Sequence, residues 1–342
     1  MKYIKGYDGL RAISILLVIL THLNLYSFLP ENSLFQTRIW KMISGETGVW
    51  IFFNLSGFLI TSILLNERKN QGYINFKRFF LKRFIRLLPA VIILYIIVIV
   101  LSQFNLIELT IQGFFLSLLY LYNYVPVHYY HDEIAHTWSL AVEEQYYLIW
   151  PFIIQYLFPG KILKVCAILL SLCVLLLITQ HYITFEISYK PERWFLPSAA
   201  PIVLGSIAAF FISSNNDTFV SWFKNKKGMR WGIFLFLYPL YSPAFLLYLT
   251  PIFLSMGISL IIAWIYFHQE SKVTSMLNNK TLSYLGKISY GVYVYQGVFL
   301  KTGPGSDLFI QQFPQNVILT AITAILSFEL IEKRFLLLKK KI

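Results

Sequence analysis

Residues 87–104 read LLPAVIILYIIVIVLSQF, a run without a charged side chain, immediately behind the basic residues Lys77, Arg78, Lys82, Arg83 and Arg86. A helix needs about 20 mainly apolar residues to cross bilayer hydrocarbon, and basic residues collect at its cytoplasmic end. Working outward from this segment, comparable apolar stretches follow one another from Leu10 to Leu338. Of the 342 residues, 57% are hydrophobic and 13% charged, against about 45–50% and about 25% in soluble domains. That composition excludes a water-soluble globule. The sequence predicts an all-α, polytopic membrane bundle, a single transmembrane domain over 1–342 with no additional soluble domain. The formal charge of +13 would suggest nucleic acid in a soluble chain; in a membrane protein it belongs to cytoplasmic loops, and no nucleic-acid partner is expected.

Ten spans are predicted, at 10 to 29, 46 to 65, 87 to 104, 138 to 158, 162 to 181, 196 to 213, 231 to 247, 249 to 267, 284 to 301 and 315 to 337. Segment 106 to 126 is apolar but carries Glu108, Gln112 and Asn123. If it does not cross and the N-terminus is inside, 24 of the 29 basic residues lie inside; if it crosses, only 13 do. The positive-inside bias selects the first arrangement, with both termini cytoplasmic and 106 to 126 re-entrant or interfacial. The first run is read as a retained span, since Arg11 sits beside its apolar core and no small-residue cleavage site follows. Cys166 and Cys173 lie seven apart, as on one bilayer-facing stripe, and predict neither a disulfide framework nor a metal site. No internal repeat of the kind found in inverted-repeat transporters is visible.

Ionisable residues inside spans are expensive and mark candidate sites. His22 follows Arg11 by eleven residues, close to three helical turns, so both side chains share one face about 16 Å apart along the axis. The spacing alone is equally compatible with a catalytic imidazole and with a snorkelling arginine above a hydrogen-bonded core histidine. Arg83 and Arg86 lie one turn apart at the inner boundary, where paired guanidinium donors suit phosphates; Lys77, Arg78 and Lys82 suit a headgroup anchor. Glu143 and Glu144 open the span after His136 and point about 100° apart. A carboxylate inside a bundle needs a partner, here His22 or one of the arginines. A bond to the imidazole would fix its tautomer and raise its basicity. His128, His131, His136 and Asp132 match no standard ligand spacing, and no metal is expected. Phosphate loops of the Gly-rich type and G-x-S-x-G elbows do not occur; Ser56 reads as a packing residue beside Gly57.

Together these residues resemble the membrane-bound acyltransferase 3 family. The matching pieces are Tyr7-Asp-Gly-Leu-Arg11 with ten residues before His22, Phe52-Phe-Asn-Leu-Ser-Gly-Phe-Leu59, Arg83-Phe-Ile-Arg86 followed by Pro89, Trp138-Ser-Leu-Ala-Val-Glu-Glu-Gln-Tyr-Tyr147, Leu285-Gly-Lys-Ile-Ser-Tyr290, and Glu329-Leu-Ile-Glu-Lys-Arg-Phe335. They run in family order over nearly the whole chain. The resemblance implies an O-acyltransferase of the bacterial inner membrane. It would take acetyl from cytoplasmic acetyl-CoA and deliver it to a hydroxyl of a surface polysaccharide, O-antigen or capsule first and peptidoglycan next. It makes His22 the catalytic histidine with Glu143 and Glu144 beside it, Arg11 its helix partner, and Arg83 and Arg86 binding residues for the donor, a role Arg11 would share. Asp8, Trp138, Tyr146 and Glu332 become candidate substrate-binding residues. Two positions depart from the family pattern: Gln296 stands where many relatives carry His, and Arg334 where Pro is common. Some relatives add a soluble hydrolase-like domain, which is not expected here.

The polyanionic donor cannot enter hydrocarbon, so its phosphates would rest on the inner arginines while its long arm reaches a mid-membrane histidine. His22 would act as general base or first accept the acyl group itself. The competing class is a membrane transporter or polymerase of lipid-linked glycans, which would make no use of acyl-CoA. The topology is tested by a cysteine placed in the 127 to 137 loop of a chain whose Cys166 and Cys173 are replaced. It should react with an impermeant thiol reagent on intact cells, and labelling only after permeabilisation would return 106 to 126 to the spans.

Overall fold

The computed structural model describes residues 3–24, 34–182, 189–213, 217–225, 227–301 and 308–341, and among them the chain is all-helical, with no strand. The helices are α1 (Tyr7–His22), α2 (Leu34–Ile43), α3 (Gly45–Gln71), α4 (Phe76–Gln103), α5 (Ile111–Leu118), α6 (Asp132–Ala135), α7 (Thr137–Tyr156), α8 (Pro159–Tyr182), α9 (Phe195–Ser198), α10 (Ala200–Ser213), α11 (Asp217–Lys224), α12 (Lys227–Phe236), α13 (Tyr238–Tyr241), α14 (Thr250–Phe267), α15 (Lys272–Leu277), α16 (Lys280–Leu300), α17 (Gln315–Leu326) and α18 (Lys333–Lys341). Among the described residues, four helical stretches are long and apolar enough to cross a membrane: Thr37–Gln71, Phe76–Gln103, Pro159–Tyr182 and Ala244–Phe267.

Local sequence sets the helix ends. The Ser44 hydroxyl accepts from the Thr47 amide at the start of α3, Asn75 from Arg78 at α4, and Asn279 from Leu282 at α16, the side-chain caps that helix N-termini require. Gly72, at φ 81°, closes α3 in the left-handed conformation that favours glycine.

Several expected spans take a different form. The run 10 to 29 is helical to His22, and 25–29 lie outside the described residues. The run 231 to 247 is not one helix: α12 stops at Phe236, α13 occupies four residues, and Pro243 precedes a 3₁₀ segment, Ala244–Leu249, that leads into α14. Pro239 and Pro243 lack the N–H a continuous helix would use. Segment 106 to 126 holds only α5 and the turn Tyr122–Tyr124. It is pinned to the bundle by polar contacts: the Tyr95 and Ser117 hydroxyls share a hydrogen bond, Ser117 donates to Thr137, and Gln145 donates to the Tyr120 carbonyl and to Asn123. Such partners are what non-helical backbone needs at membrane depth. The last helix runs through Arg334 to Lys341 but widens to a π-helix over Ser327–Glu332.

The cysteine stripe faces inward rather than toward lipid: Cys166 and Cys173 are buried free thiols, and the Cys173 thiol donates to the Leu196 carbonyl beside α9. Contacts between connecting segments join those the charge count puts on one side. Lys5 pairs with Glu270, Arg68 donates to the Leu157 carbonyl and Lys301 pairs with Glu133; Arg38 instead reaches the Pro239 and Leu240 carbonyls, inside the expected span 231 to 247.

The interior is built on α3. Its Phe52–Leu59 motif supplies a crossing with α10 so close that a Cβ on Gly57 would lie 2.0 Å from the Ile202 carbonyl oxygen, and one on Gly205 2.1 Å from that of Asn54. Small residues permit such crossings in membranes, where dispersion contacts and interhelical hydrogen bonds replace the hydrophobic drive. Asn54 ties the crossing to α14 by accepting from the Ser259 hydroxyl. Gly57→Leu is therefore expected to lower the thermal midpoint and the monodisperse yield in detergent, by at least the 1–3 kcal/mol typical of overpacking. Gly160→Ala, where no atom lies within 4 Å of the added Cβ, should leave both unchanged.

Candidate active site

Helix α1 is unbroken from Tyr7 to His22, so the separation of about 16 Å between Arg11 and His22 is retained. A cavity lies at each of these two positions. The first, of about 160 Å³, is lined by Arg11, Arg83, Arg86, Glu143, Tyr147 and Tyr290 among others. The second, of about 360 Å³, is lined by His22, Asp132, His136, Trp138, Arg193, Gln296 and Lys301 among others. Val49 and Tyr293 belong to the walls of both.

The arginine cavity gathers residues from α1, α4 and α7. Asp8, one turn before Arg11, accepts its guanidinium at 2.7 Å and also accepts from the Tyr3 hydroxyl. Glu144 accepts from Arg83 at 3.2 Å, and the Arg83 guanidinium lies 3.0 Å from the Tyr147 ring centroid. Glu143 accepts from the Tyr147 hydroxyl. Counter-ions of this kind make buried cations tolerable. Each occupies only part of a guanidinium, which carries five N–H donors. Among the lining residues three arginines face one carboxylate, so the first cavity carries an excess of positive charge.

Around His22 the balance differs. The backbone of Lys301 lies within hydrogen-bonding reach of the imidazole, and Asp132 and His136 are the ionisable neighbours whose charges act on it. Glu46, Asp132 and Glu192 line this cavity against Arg193 and Lys301. Trp138 lines it too, edge-on to Phe53 with their ring centroids 6.3 Å apart and the Arg193 guanidinium 5.6 Å from the Trp138 ring.

The structure thus brings together Arg11, Arg83, Arg86 and Glu143 in one place and His22 with Trp138 in another. Other expected site residues stand elsewhere. Glu143 belongs to the arginine cavity rather than beside His22, because α7 starts near His22 and carries residue 143 two turns away from it toward Arg83. Glu144 is the counter-ion of Arg83 and lines neither cavity. Asp8 backs Arg11 from below. Tyr146 is buried in helix packing: its hydroxyl shares a 2.6 Å hydrogen bond with Ser206 on α10, and its ring stacks on Trp150. Glu332 is buried in the π-helix, accepting from Ser327, whose hydroxyl in turn accepts from Tyr295. Ser56, expected to be a packing residue, lines the arginine cavity. His131 bonds Thr110, and His128 stands exposed against Tyr129.

Sequence reasoning missed the surroundings of His22. The spacing of Asp132 and His136 bears only on a metal site, Arg193 and Lys301 carry no sequence signal beyond their charge, and nothing in the linear order brings residues 22, 132, 193 and 301 together. The departure at Gln296 was the one signal that pointed here.

Residues 4–331 match the family model described as "Acyltransferase domain". A Bacillus subtilis protein named "Putative peptidoglycan O-acetyltransferase YrhL" is 32% identical over 368 residues, covering 97% of this chain and 55% of that protein. The Listeria monocytogenes protein named peptidoglycan O-acetyltransferase OatA is 30% identical over 362 residues, with the same coverages. A Staphylococcus aureus (strain COL) protein named "Putative O-acetyltransferase" is 28% identical over 363 residues, 98% of this chain and 58% of its own length. The chain spans a little over half the length of these curated relatives. No solved structure matches. With a match that takes in both cavities and nearly every helix, the chain belongs to the acyltransferase family.

Proposed function

We propose that this protein is an integral membrane O-acetyltransferase that takes acetyl from cytoplasmic acetyl-CoA and passes it to a hydroxyl of a cell-surface polysaccharide. The observation that carries the reading is the pair of cavities at the two ends of α1, three arginines lining one and His22 the other, with Val49 and Tyr293 common to both. Excess positive charge suits the phosphates of a nucleotide thioester, and the spacing along α1 suits a donor whose reactive end lies at the tip of a long arm. Ten crossings in the inner membrane, both termini cytoplasmic and 106 to 126 not crossing, accompany this reading. It is supported by the charge distribution and by the loop contacts, which pair segments of one expected side. The names of the relatives favour a peptidoglycan glycan over O-antigen or capsule as the first acceptor to try.

In this scheme Arg11, Arg83 and Arg86 hold the donor's phosphates, with Asp8 and Glu144 fixing two of the guanidinium groups. His22 takes the proton of the acceptor hydroxyl as its oxygen bonds to the thioester carbonyl carbon. The carbon–sulfur bond breaks and the proton passes to the departing thiolate. Where His22 instead carries the acyl group, its ring nitrogen makes the same bond first and yields the group to the hydroxyl in a second step.

Replacing both Arg83 and Arg86 by Ala should weaken acetyl-CoA binding by at least tenfold, measured by calorimetry on the purified protein in detergent; unchanged binding would remove the donor assignment. His22→Ala should bind acetyl-CoA as the parent does yet lose acetyl transfer by about 10²–10⁴-fold, the usual cost of a general base, and by more if the ring carries the acyl group. Acetylated glycan formed at the parental rate by that variant would remove His22 from the chemistry, and a parent that transfers no acetyl group would favour the transporter alternative.

A further inference from the structure

The cavity at His22 contains two buried side chains whose polar atoms are left without good partners, although the His136 ring packs edge-on to Tyr293. Gln296, on α16, is fully buried, and neither its amide nitrogen nor its amide oxygen has a hydrogen-bond partner. His136, at the start of α7, is 6% exposed, and both its ring nitrogens lack a partner although the Val294 backbone is close by. Both residues line the cavity. Buried side-chain polar atoms are nearly always paired, so two such groups on one wall imply a ligand that pairs them. The packing here is specific: a Cβ on Gly297 would fall 1.9 Å from His136 Nδ1, so only glycine at 297 admits the imidazole to this position.

The chemistry of the two groups selects the ligand. A carboxamide presents two donors and an acceptor, and a neutral imidazole one donor and one acceptor. An anion would satisfy the donors and leave the Gln296 oxygen facing it; a cation would do the reverse. A hydroxyl both donates and accepts, and neighbouring hydroxyls of a sugar ring repeat that pattern at close spacing. The nearly balanced charges around the cavity, against the positive excess in the arginine cavity, favour a neutral ligand. Trp138 on the same wall supplies an aromatic surface for the C–H face of a sugar.

We propose that Gln296 and His136 form a seat for a saccharide, gripping hydroxyls next to the one presented to His22 and so fixing which hydroxyl is acylated. The proposal rests on the acyl-transfer reading for its consequence but not for its chemistry. Both are positioning residues: they hold the acceptor, and His22 handles the proton.

Full-length protein in detergent is titrated with chitotetraose as the probe, binding is followed by saturation-transfer difference NMR without donor, and acetyl transfer from acetyl-CoA is measured separately. Parent and His22→Ala should both bind the sugar. Gln296→Leu should bind it at least tenfold more weakly while keeping or raising the thermal midpoint, because the amide makes no bond within the chain; Gln296→His, which restores a donor and an acceptor, should recover binding. The seat is overturned if the parent shows no saturation transfer, if Gln296→Leu binds as the parent does, or if its midpoint falls along with binding, which is the mark of a structural residue. Sugar binding lost in Gln296→Leu while the parent transfers no acetyl group would sustain the seat and remove the acyl-transfer reading. Transfer by the parent with binding untouched by Gln296→Leu would do the opposite.

Discussion

Charge inside an apolar bundle has to be paired, and that requirement organises this molecule. An isolated ion in a medium of low polarity is too costly to keep. Arg11 is held by Asp8, Arg83 by Glu144 and the face of Tyr147, and Lys301 by Glu133. These ties join α1 to itself, α4 to α7, and the end of α16 to α6. They fix three cationic side chains relative to the helices around them and leave donor capacity on the guanidinium groups. Of the four acids expected at the site, Asp8, Glu143, Glu144 and Glu332, two, Asp8 and Glu144, are the groups that pair the arginines.

Helix α1 gives the arrangement its length scale. Being uninterrupted, it holds Arg11 and His22 at a separation set by backbone geometry alone, and α3 and α16 pack along it and contribute walls to both cavities. The α3–α10 crossing, with each glycine against the other helix's carbonyl, makes that framework stiff where it carries Val49, Phe52 and Phe53 past the site.

The sequence disclosed what local rules govern. Apolar runs gave several helices near their observed ends, α14 and α16 among them, while α4 starts at Phe76, ahead of the run from 87; the eleven-residue step from Arg11 to His22 needed only the helical repeat. Partner choice was beyond it. Glu143 had His22 and three arginines as candidates, and only the tilt and register of α7 against α4 decide between them. Tyr146 and Tyr147 are adjacent in sequence, yet one is spent on packing against Ser206 and the other meets Arg83, because neighbouring helical residues face different sides. Cys166 and Cys173 share a stripe as their spacing says, but a hydropathy pattern uniform around a helix does not tell lipid from protein. The run 231 to 247 passed for a span because composition registers apolar residues and is nearly blind to two prolines.

The wall that the two cavities share at Val49 and Tyr293 bears on water as well as on any transferred group. Two cavities that share walls inside one helical bundle would, if water joined them, make a continuous wet path between the two ends of α1. The aromatic ring of Tyr293, edge-on to Phe52 and with its hydroxyl engaged by Ser139 and the His136 carbonyl, stands in the wall common to the two cavities. Narrow apolar constrictions exclude water and the ions it carries. In the proposed acyl transfer, a group passing from one cavity to the other would have to slip past this ring without a continuous thread of water following it, which would bound how wide the opening is and how long it lasts.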